Sequence, residues 1–394
     1  MRGHIRQRGK RKDRWTVVVE MDRTPDNKRH QQWVTVRGTR KDAERRLAEL
    51  LVEVETGAYV KPTKETLAQF LRRWLDDCVR YNVRPVTEQE YRRKVERSII
   101  PELGEIPIVN LQQPHLEAFY RRALESGRAD GKGGLSARTV LQLHRILYDA
   151  LNHAVKWGVV TRNVAQAVEP PRAHQKDMHT LDSDGVARLL EASKDTPYYQ
   201  IFHLAVYTGM RRSELLGLRW RDVDLDMATL SVVQAMHHLR DGRVVFEQPK
   251  SHKGRRQVAL SPAAVLALRE HRERQNLEAI MAGRALTSDD LVFSTADGSP
   301  LLPNSLTHAF VKTVRRAGLP AIRLHDLRHT HASLMLRQGV HPKIVSERLG
   351  HATVGITLDI YSHVTPGLQE AAALSFEQSL QARGSVDTPS PATT

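Results

Sequence analysis

The stretch EPPRAHQKDMH, residues 169–179, constrains the fold more than any other part of the sequence. Its adjacent prolines, Pro170 and Pro171, are not tolerated inside a helix or a central strand, and most of its other residues are polar or charged. Such a stretch predicts a linker stiffened by proline. The chain therefore divides near residue 170, and its 394 residues already exceed one ordinary domain.

The overall charge indicates a polyanionic partner. The chain has 60 Lys and Arg against 45 Asp and Glu, a net charge of +15, and its isoelectric point is near 10.0; this favours nucleic acid over a membrane. The single cysteine, Cys78, excludes an internal disulfide and suits a reducing cytoplasm. The start, MRGHIRQRGKRK, lacks the apolar core of a signal peptide, and no apolar run approaches the ~18 residues of a membrane span. We therefore expect a cytoplasmic protein with no membrane partner.

Residues 1–62 predict a small basic domain. They carry 16 Lys and Arg against 9 Asp and Glu, a net +7. RWTVVVEMD and HQQWVTVRG predict strands on either side of a turn, and TRKDAERRLAELLVEVE predicts a helix with capping-box spacing from Thr39 to Asp42. The apolar stripe of that helix is Ala43, Leu47, Leu50, Leu51 and Val54. The pattern fits either a reader of a DNA groove or a solvated α/β module.

Residues 63–170 have the periodicity of helices. TLAQFLRRWLDDC repeats apolar residues at helical spacing: Leu67, Leu71, Trp74 and Leu75. TEQEYRRKVERSII predicts a helix that begins with a capping box at Thr87 and stops at Pro101 and Gly104. SARTVLQLHRILYDALNHAVKWG predicts another that begins at Ser136.

Residues 178–380 mix helices with short strands. TLSVVQAM, RVVFEQ and RRQVAL predict a three-stranded sheet that follows a helix ending near Leu218. Residues 381–394 lack apolar content, which predicts a disordered tail. The sequence as a whole thus predicts a mainly α protein with small β-sheets, of the α+β class.

RLHDLRHTHASL, residues 323–334, sets histidines and an arginine beside an aspartate. On a helix, His325 shares one face with His329 and with Arg328. The first pairing resembles the H-E-x-x-H pattern of zinc metalloproteases, and the second places a proton-transfer group beside a phosphate-binding guanidinium. A zinc site is disfavoured because Asp326 is one methylene shorter than the glutamate base and Arg328 would oppose a divalent cation. We therefore expect a phosphate site here.

Four other stretches supply residues that suit phosphate chemistry. They are Arg211 and Glu214 in TGMRRSELLGLRW, Lys250 and Lys253 in PKSHKGRRQVAL, His351 in LGH, and Tyr361 in LDIYSHV. Each stretch alone is a weak signal. In this order, over about 150 residues, they form a set that chance rarely produces, and a zinc site would leave them unexplained.

Together these stretches make residues 178–380 resemble the catalytic domain of the tyrosine recombinases, of the phage-integrase type. The positions that carry the resemblance are Arg211 in T-G-x-R-x-x-E-L, Lys250 on the hairpin, His325 and Arg328 in H-D-L-R-H, His351 in L-G-H, and Tyr361 ten residues later. Residues 63–170 resemble the helical core-DNA-binding domain of the family, and residues 1–62 resemble its three-stranded arm-binding domain. One departure is His331, where the family often has an aromatic residue; we expect it to alter packing rather than chemistry.

The resemblance implies a site-specific recombinase that cleaves DNA through a 3′-phosphotyrosyl bond to Tyr361, without a metal or another cofactor. Two guanidiniums suit the non-bridging oxygens of a phosphate. A tyrosine, with a reference pKa of ~10, needs a base to become a nucleophile, and the leaving 5′-oxygen needs an acid. The implied roles are phosphate binding for Arg211, Arg328 and His351, base for His325, acid for Lys250 with Lys253 as its competitor, and orientation of the cations for Glu214.

The neighbouring basic residues are expected to have other roles. Arg212 and Arg255 or Arg256 would hold DNA or solvent, and His329 would be structural. The candidate DNA contacts of the amino-terminal domain are Arg6, Arg8, Lys10, Arg11 and Lys12.

The expected partner is double-stranded DNA at attachment sites, bound by a homotetramer that is nucleoid-associated when on DNA. Integration and excision of a phage or integrative element would fit, with an excisionase and a host DNA-bending protein as possible further partners. The helix around LQEAAALSF would dock onto a neighbouring protomer or pack within its own, through Leu368, Ala371, Ala372 and Leu374. Two alternatives are a DNA-binding regulator that keeps the fold without catalysis, which would lack the nucleophile or an arginine, and a nicking-closing enzyme of the type IB topoisomerase kind.

Overall fold

The computed structural model describes residues 3–7, 13–21, 30–55, 63–128, 130–173, 179–249 and 252–361, and residues 373, 374, 376–378 and 380. The chain forms two compact units, Met1–Gln175 and Lys176–Thr394, and the division falls within EPPRAHQKDMH. Both are mainly helical with small antiparallel sheets, which confirms the predicted fold class. The predicted tail and three residues of the predicted docking helix (Leu368, Ala371, Ala372) lie outside the described residues.

The first unit begins with a three-stranded antiparallel sheet in the order β1-β2-β3. Its elements are β1 (Gly3–Gln7), β2 (Arg14–Met21), β3 (His30–Arg37) and the helix α1 (Arg40–Glu55). Alternation along β2 buries Val17 and Val19 in one cluster with Ala43 and Leu50 of α1. The predicted cap of α1 is confirmed, because the Thr39 N–H donates to Asp42 Oδ2 at 2.9 Å and the Asp42 N–H to Thr39 Oγ1 at 3.3 Å.

The rest of the first unit is helical. Its elements are α2 (Leu67–Trp74), which continues through a π-helical turn (Leu75–Val79) into α3 (Arg80–Asn82); α4 (Pro85–Lys94), which continues through a second π-helical turn (Val95–Ile99) into α5 (Ile100–Leu103); α6 (Gln113–Ser126); and α7 (Ala137–Lys156). The predicted stripe from Leu67 to Leu75 is buried in the shared core. Ser136 caps α7 as predicted, its side chain accepting from the Thr139 N–H at 3.2 Å.

The helix that was predicted from TEQEYRRKVERSII differs from its prediction at both ends. It begins at Pro85 rather than at a cap on Thr87, because proline's fixed φ suits the first position of a helix. It also continues past Pro101 and ends at Leu103. In the π-helical turn before Pro101 the Ile100 N–H donates to Val95 O, five residues back, so the hydrogen-bond ladder is already shifted where proline lacks its N–H.

The second unit packs helices around one large core. Its elements are α8 (Ser183–Ser193), α9 (Tyr199–Thr208), α10 (Arg212–Leu216), β4 (Val223–Asp224), β5 (Thr229–Val232), β6 (Ala235–His238), β7 (Val244–Glu247), β8 (Arg256–Ala259), α11 (Pro262–Met281), α12 (Pro303–Arg316), α13 (Asp326–Arg337), α14 (Pro342–Leu349) and α15 (Val354–Tyr361). Phe202 and Phe310 meet edge to face at its centre, with ring centroids 5.4 Å apart. Among the described residues, no helix is both long enough and apolar enough to cross a membrane.

The predicted three-stranded sheet of this unit is wrong, because TLSVVQAM forms two strands rather than one. β5 pairs with β4 and β8, whereas β6 pairs with β7 in a separate sheet. Val233 and Gln234 separate the two strands, and the side-chain amide of Gln234 donates to Gly217 O at 2.8 Å. The following residues, Ala235 and Met236, are buried where β6 packs on α10. Burial of this pair against α10 therefore divides the run.

Candidate active site

Arg211 lies at the turn between α9 and α10, and a glycine makes that turn possible. Gly209 has φ +64°, and a Cβ there would lie 2.6 Å from Leu349 Cδ2 and 2.7 Å from His331 Cδ2. Only glycine meets both demands. Arg211 then caps α10: its N–H donates to Glu214 Oε2 at 2.9 Å, and its Nη1 to Oε1 at 2.7 Å.

Glu214 is a buried carboxylate shared by two arginines. Besides Arg211, it accepts from Arg256 Nη2 at 2.8 Å on Oε2 and from Arg256 Nη1 at 3.2 Å on Oε1. Burial raises the pKa of Glu214, but the hydrogen bonds and charge of Arg256, with the charge of Arg211, outweigh it and lower the pKa to about 2. Glu214 is therefore an anion that fixes two guanidiniums, and it does not carry a proton near neutral pH.

The position of Arg256 differs from the expectation that this side chain would hold DNA or solvent. Its side chain is 6% exposed, and its Nε donates to Arg348 O at 2.6 Å. The signal was available in RRQVAL: alternation along β8 puts Arg256 on the same face as the buried Val258 and Leu260. Arg255, on the opposite face, is exposed and bonds Gln248.

Arg328 joins the ends of two helices. It is 3% exposed, and it donates from Nη1 to Gly209 O at 2.8 Å and from Nη2 to Leu349 O at 2.7 Å. These carbonyls stand at the carboxyl-terminal ends of α9 and α14, where helical carbonyls lack partners within the helix and the helix dipole is negative. The guanidinium thus satisfies both ends and is held rigidly in place.

His325 and His351 share one electrostatic environment with the two arginines. Burial first, and then neighbouring charges that include Arg328 and Arg211, lower the pKa of each ring to about 4. Both rings are therefore neutral at pH 7. Arg328 bonds the carbonyls of Gly209 and Leu349, two residues before Arg211 and His351, and it lies one helical turn after His325. The predicted residues Arg211, His325, Arg328 and His351 are thus brought together.

His351 is tied to the helix that ends at Tyr361. Its N–H donates to Ser346 O at 3.0 Å, and its Nδ1 lies 2.8 Å from Thr357 Oγ1 on α15. Tyr361 is the last residue of α15 and lies one helical turn after Thr357, so the two positions share a helix face. The tyrosine side chain lies outside what the structure describes.

Lys250 and Lys253 lie between β7 and β8, which pair in separate sheets and not with each other, so these strands do not form the predicted hairpin. Lys250 lies outside the described residues, whereas Lys253 Nζ donates to Ala352 O at 2.9 Å, directly after His351. A cleft of about 330 Å³ opens beside His351, and its lining includes the cations Lys253, Arg255 and Lys343 and the carboxylate of Glu347. This opening has the charge and position for a segment of a polyanion to reach the cluster.

Of the other predicted residues, His329 lies against the cluster, Arg212 bonds a residue outside it, and most of the amino-terminal candidates are not described. Arg212 is exposed and donates to Thr307 Oγ1 at 2.8 Å, and the ring of His329 meets that of His325 at a centroid distance of 5.2 Å. Arg6 is exposed on β1, and the remaining amino-terminal candidates (Arg8, Lys10, Arg11 and Lys12) are outside the described residues.

Asp326 is committed to an arginine. It is 3% exposed and accepts from the Arg323 N–H at 2.8 Å and from Arg323 Nη2 at 2.9 Å. Within the part of the chain that the structure describes, no group of three His, Cys, Asp or Glu side chains is placed to hold a metal ion.

Comparisons with known proteins give the family of the chain. The model described as the phage integrase family matches residues 179–367, and the one described as the phage integrase, N-terminal SAM-like domain, matches residues 66–124. The chain is 29% identical over 349 residues to the "Tyrosine recombinase XerC-like" protein of Caldanaerobacter subterraneus subsp. tengcongensis, covering 83% of this chain and 87% of that protein.

Two solved structures have the same fold. A Tn1549 transposon integrase in complex with a circular intermediate DNA aligns with a TM-score of 0.65 at 20% identity, over 80% of this chain and 99% of the other. A lambda integrase tetramer bound to a Holliday junction aligns with a TM-score of 0.57 at 18% identity, over 92% of this chain and 95% of the other. The two family models together match more than half of the residues. The chain therefore belongs to the phage integrase family of tyrosine recombinases, which are enzymes of DNA recombination.

Proposed function

We propose that the protein is a site-specific integrase that cleaves one DNA strand at a time and joins it to Tyr361 through a 3′-phosphotyrosyl bond. The observation that carries the proposal is the position of Arg328, which bonds Gly209 O, two residues before Arg211, and Leu349 O, two residues before His351, and which lies one helical turn after His325. The helix that follows His351 ends at Tyr361.

The arginines act on the scissile phosphate. Arg211 and Arg328 bind its non-bridging oxygens and neutralise the charge that grows in the transition state. Their rigidity supports this role, since Glu214 holds Arg211 and two helix-end carbonyls hold Arg328. Donors fixed before the reaction need no reorganisation during it. His351 adds a further hydrogen bond to the phosphate.

Tyr361 is the nucleophile and His325 its base. In the DNA-free protein His325 is neutral at pH 7, so it can accept the phenolic proton. The bound phosphate adds negative charge beside the ring, which raises the pKa of His325 and makes it a stronger base than it is without DNA. The phenolic oxygen then bonds to phosphorus as the bond from phosphorus to the 5′-oxygen breaks.

The leaving 5′-oxygen takes a proton from Lys250, in the segment between β7 and β8, with Lys253 as the alternative. A partner strand's 5′-hydroxyl reverses the attack and releases the tyrosine, so the energy of the phosphodiester bond is kept throughout. The cycle therefore needs no nucleotide cofactor, and in this proposal the two arginines do the work that metal ions often do at other phosphate sites. Two such rounds, through a four-way junction, exchange two duplexes.

The other regions bind DNA. Residues 63–170 hold the core site, and the basic residues 1–62 hold distant arm sites, with the exposed Arg6 on β1 as one contact. A protein that bridges two sites gains avidity, which can set the direction of recombination. A tetramer on double-stranded attachment sites, aided by an excisionase and a host DNA-bending protein, would integrate and excise a phage or integrative element. The solved tetramer of a lambda integrase on a Holliday junction supports the assembly by analogy of fold.

The test is covalent capture in EDTA on DNA that spans the regions flanking the gene. Wild type should give an adduct that resists SDS, and Tyr361→Phe should bind the same DNA without forming it. Tyr81→Phe is the matched control, because Tyr81 is 76% exposed and lies in the other unit. An adduct from Tyr361→Phe would identify another nucleophile, and an adduct that EDTA abolishes would restore a metal mechanism.

A further inference from the structure

His331 and Arg348 form a pair that none of the roles above uses. His331 lies on α13, one helical turn after Arg328, and is 8% exposed. Its Nδ1 lies 2.8 Å from Val206 O on α9, and its Nε2 lies 3.1 Å from Arg348 Nε on α14. The ring therefore connects three helices.

The partners of this ring fix its protonation. A carbonyl oxygen accepts only, so Nδ1 must carry the proton that it donates to Val206. A guanidinium donates only, so Nε2 must be the unprotonated acceptor. Burial, with the charge of Arg348, lowers the pKa of His331 to about 4, in agreement with a neutral ring. An imidazole is suited to both contacts, whereas a phenyl ring of similar size offers neither.

Arg348 extends the connection to the strands. Besides the ring, it donates from Nη2 to Tyr207 O at 2.8 Å and from Nη1 to Ala259 O at 2.9 Å. Its own carbonyl accepts from Arg256 Nε, and the next carbonyl, Leu349 O, accepts from Arg328 Nη2. Arg348 thus stands where the end of α14 meets the end of α9 and β8.

The consequence concerns the proposed phosphate site. Arg328 is held by Gly209 O and Leu349 O, so its position depends on how closely the ends of α9 and α14 approach. His351 follows Leu349 by two residues, and its position depends on the same end of α14. His331 and Arg348 bridge these two helix ends directly.

We infer that His331 and Arg348 are positioning residues that fix Arg328 and His351 for attack on the scissile phosphate. The inference rests on the proposed function, since it assigns these side chains to the same site. It also revises the expectation that His331 alters packing alone. The His331 ring is buried and the three guanidinium nitrogens of Arg348 bond protein atoms, so we expect both residues to act on the rate of the chemical step rather than on DNA binding.

The chain offers a matched control in His271 on α11. Its Nε2 lies 2.6 Å from Val292 O and its Nδ1 lies 3.0 Å from Arg274 Nη2, so it also joins a carbonyl to a guanidinium. It is 9% exposed, and burial lowers its pKa to about 4, as for His331. Within the described part of the chain, neither Val292 nor Arg274 bonds a proposed catalytic residue. His271→Phe therefore removes an equivalent link at a place where only stability should change.

The experiment measures binding and single-turnover adduct formation separately, on a nicked duplex carrying the cleavage site sequenced from the wild-type adduct. His331→Phe should lower the rate at saturating DNA roughly 10–100-fold, the range expected for a displaced catalytic group, with the dissociation constant changed less than about threefold. His331→Gln, which keeps an acceptor and donors, should recover part of the rate. His331→Phe combined with Arg348→Met should lose no more than Arg348→Met alone, because the two act through one contact.

The outcomes separate this inference from the proposed function. An absent wild-type adduct overturns the proposed function, and with it the catalytic part of the inference. A wild-type adduct with an unchanged rate for His331→Phe, an equal loss for His271→Phe, or additive losses in the double variant overturns the inference alone. The pair itself is tested without activity by ¹⁵N spectra of labelled histidine: His331 should be protonated on Nδ1, and a ring protonated on Nε2 would refute the contact with Arg348.

Discussion

Glu214 and Arg256 form a buried ion pair, with side chains 4% and 6% exposed and a shortest distance of 2.8 Å between Oε2 and Nη2. The same carboxylate holds the proposed phosphate ligand Arg211 at 2.7 Å. One anion therefore orients a partly exposed cation, Arg211, and a buried cation, Arg256. Such pairs are weak evidence for net stability, but removing one charge is strongly destabilising.

The change Glu214→Gln keeps the shape of the side chain and removes its charge. It leaves Arg256 buried without a counter-ion, which we expect to lower the free energy of unfolding by about 3–5 kcal/mol. Arg211 also loses its anchor, so adduct formation should slow more than DNA binding weakens. Urea denaturation and single-turnover capture measure the two effects. The control is Glu191→Gln, whose carboxylate is 75% exposed in a pair with Lys194 and should change neither quantity; equal behaviour of the two variants would contradict the assignment.

Gly350, between Leu349 and His351, should not tolerate alanine. Its φ is +66°, and a Cβ there would lie 2.9 Å from Lys253 O and 3.0 Å from Arg256 Cδ. Gly350→Ala combines left-handed strain of roughly 1–2 kcal/mol with displacement of Lys253 and Arg256, so stability and adduct formation should both fall. Thermal unfolding and single-turnover capture are the measurements.

Gly318→Ala separates strain from crowding in this test. Gly318 has φ +60°, but nothing lies within 4 Å of an added Cβ. It should therefore lose stability by the strain alone and keep its rate of adduct formation. If both glycine variants keep the wild-type rate, the close approach of Gly350 to Lys253 and Arg256 has no bearing on the site.

The sequence predicted the parts of the site that lie in short motifs. T-G-x-R-x-x-E-L predicted Arg211 at a helix start with Glu214 one turn later, because capping and helical spacing are local properties. The pattern RLHDLRHTHASL placed His325 beside Arg328 for the same reason. Two amino-terminal strands, β2 and β3, and the helix α1 were predicted from periods of two and 3.6 residues, whereas the pattern did not predict β1.

What the sequence did not predict depends on contacts between distant segments. Arg256 and Glu214 are 42 residues apart, and no local pattern states that they will share a buried pair. The division of TLSVVQAM into β5 and β6 depends on packing against α10, which the alternation of that run does not encode. The hydrogen bonds of His331 form only when α9 and α14 pack against α13, which no local pattern predicts.

The stability of the DNA-free protein should fall in acid. Burial lowers the pKa of His271, His331 and His351 from 6.5 to about 4. Between these values the unfolded chain binds protons that the folded protein does not, so the free energy of unfolding rises with pH across this window and decreases on acidification. Glu214, whose pKa is lowered from 4.5 to about 2, adds a loss of the same sign at lower pH.

The measurement is the midpoint of thermal unfolding from pH 8 to pH 4. It should be nearly constant above pH 6.5 and should fall steadily below it. His271→Phe removes one of the titrating rings outside the proposed site, so its slope below pH 6.5 should be shallower than that of wild type. A midpoint that is independent of pH, or an unchanged slope in the variant, would show that these rings titrate normally in the folded protein.

The roles of Lys250 and Lys253 can be distinguished by changing the leaving group of the DNA substrate. An acid is needed because an alkoxide leaves poorly, whereas a thiolate leaves without a proton. On ordinary DNA the variant that lacks the acid should lose roughly 10²–10⁴-fold in the rate of adduct formation, and a substrate with sulfur at the bridging 5′ position should restore it. We expect this behaviour from Lys250→Ala. Lys253→Ala, which loses the hydrogen bond to Ala352 O, should show a smaller loss of rate that sulfur does not restore, because that bond positions the segment between β7 and β8. Rescue of Lys253→Ala by sulfur, without rescue of Lys250→Ala, would assign the acid to Lys253.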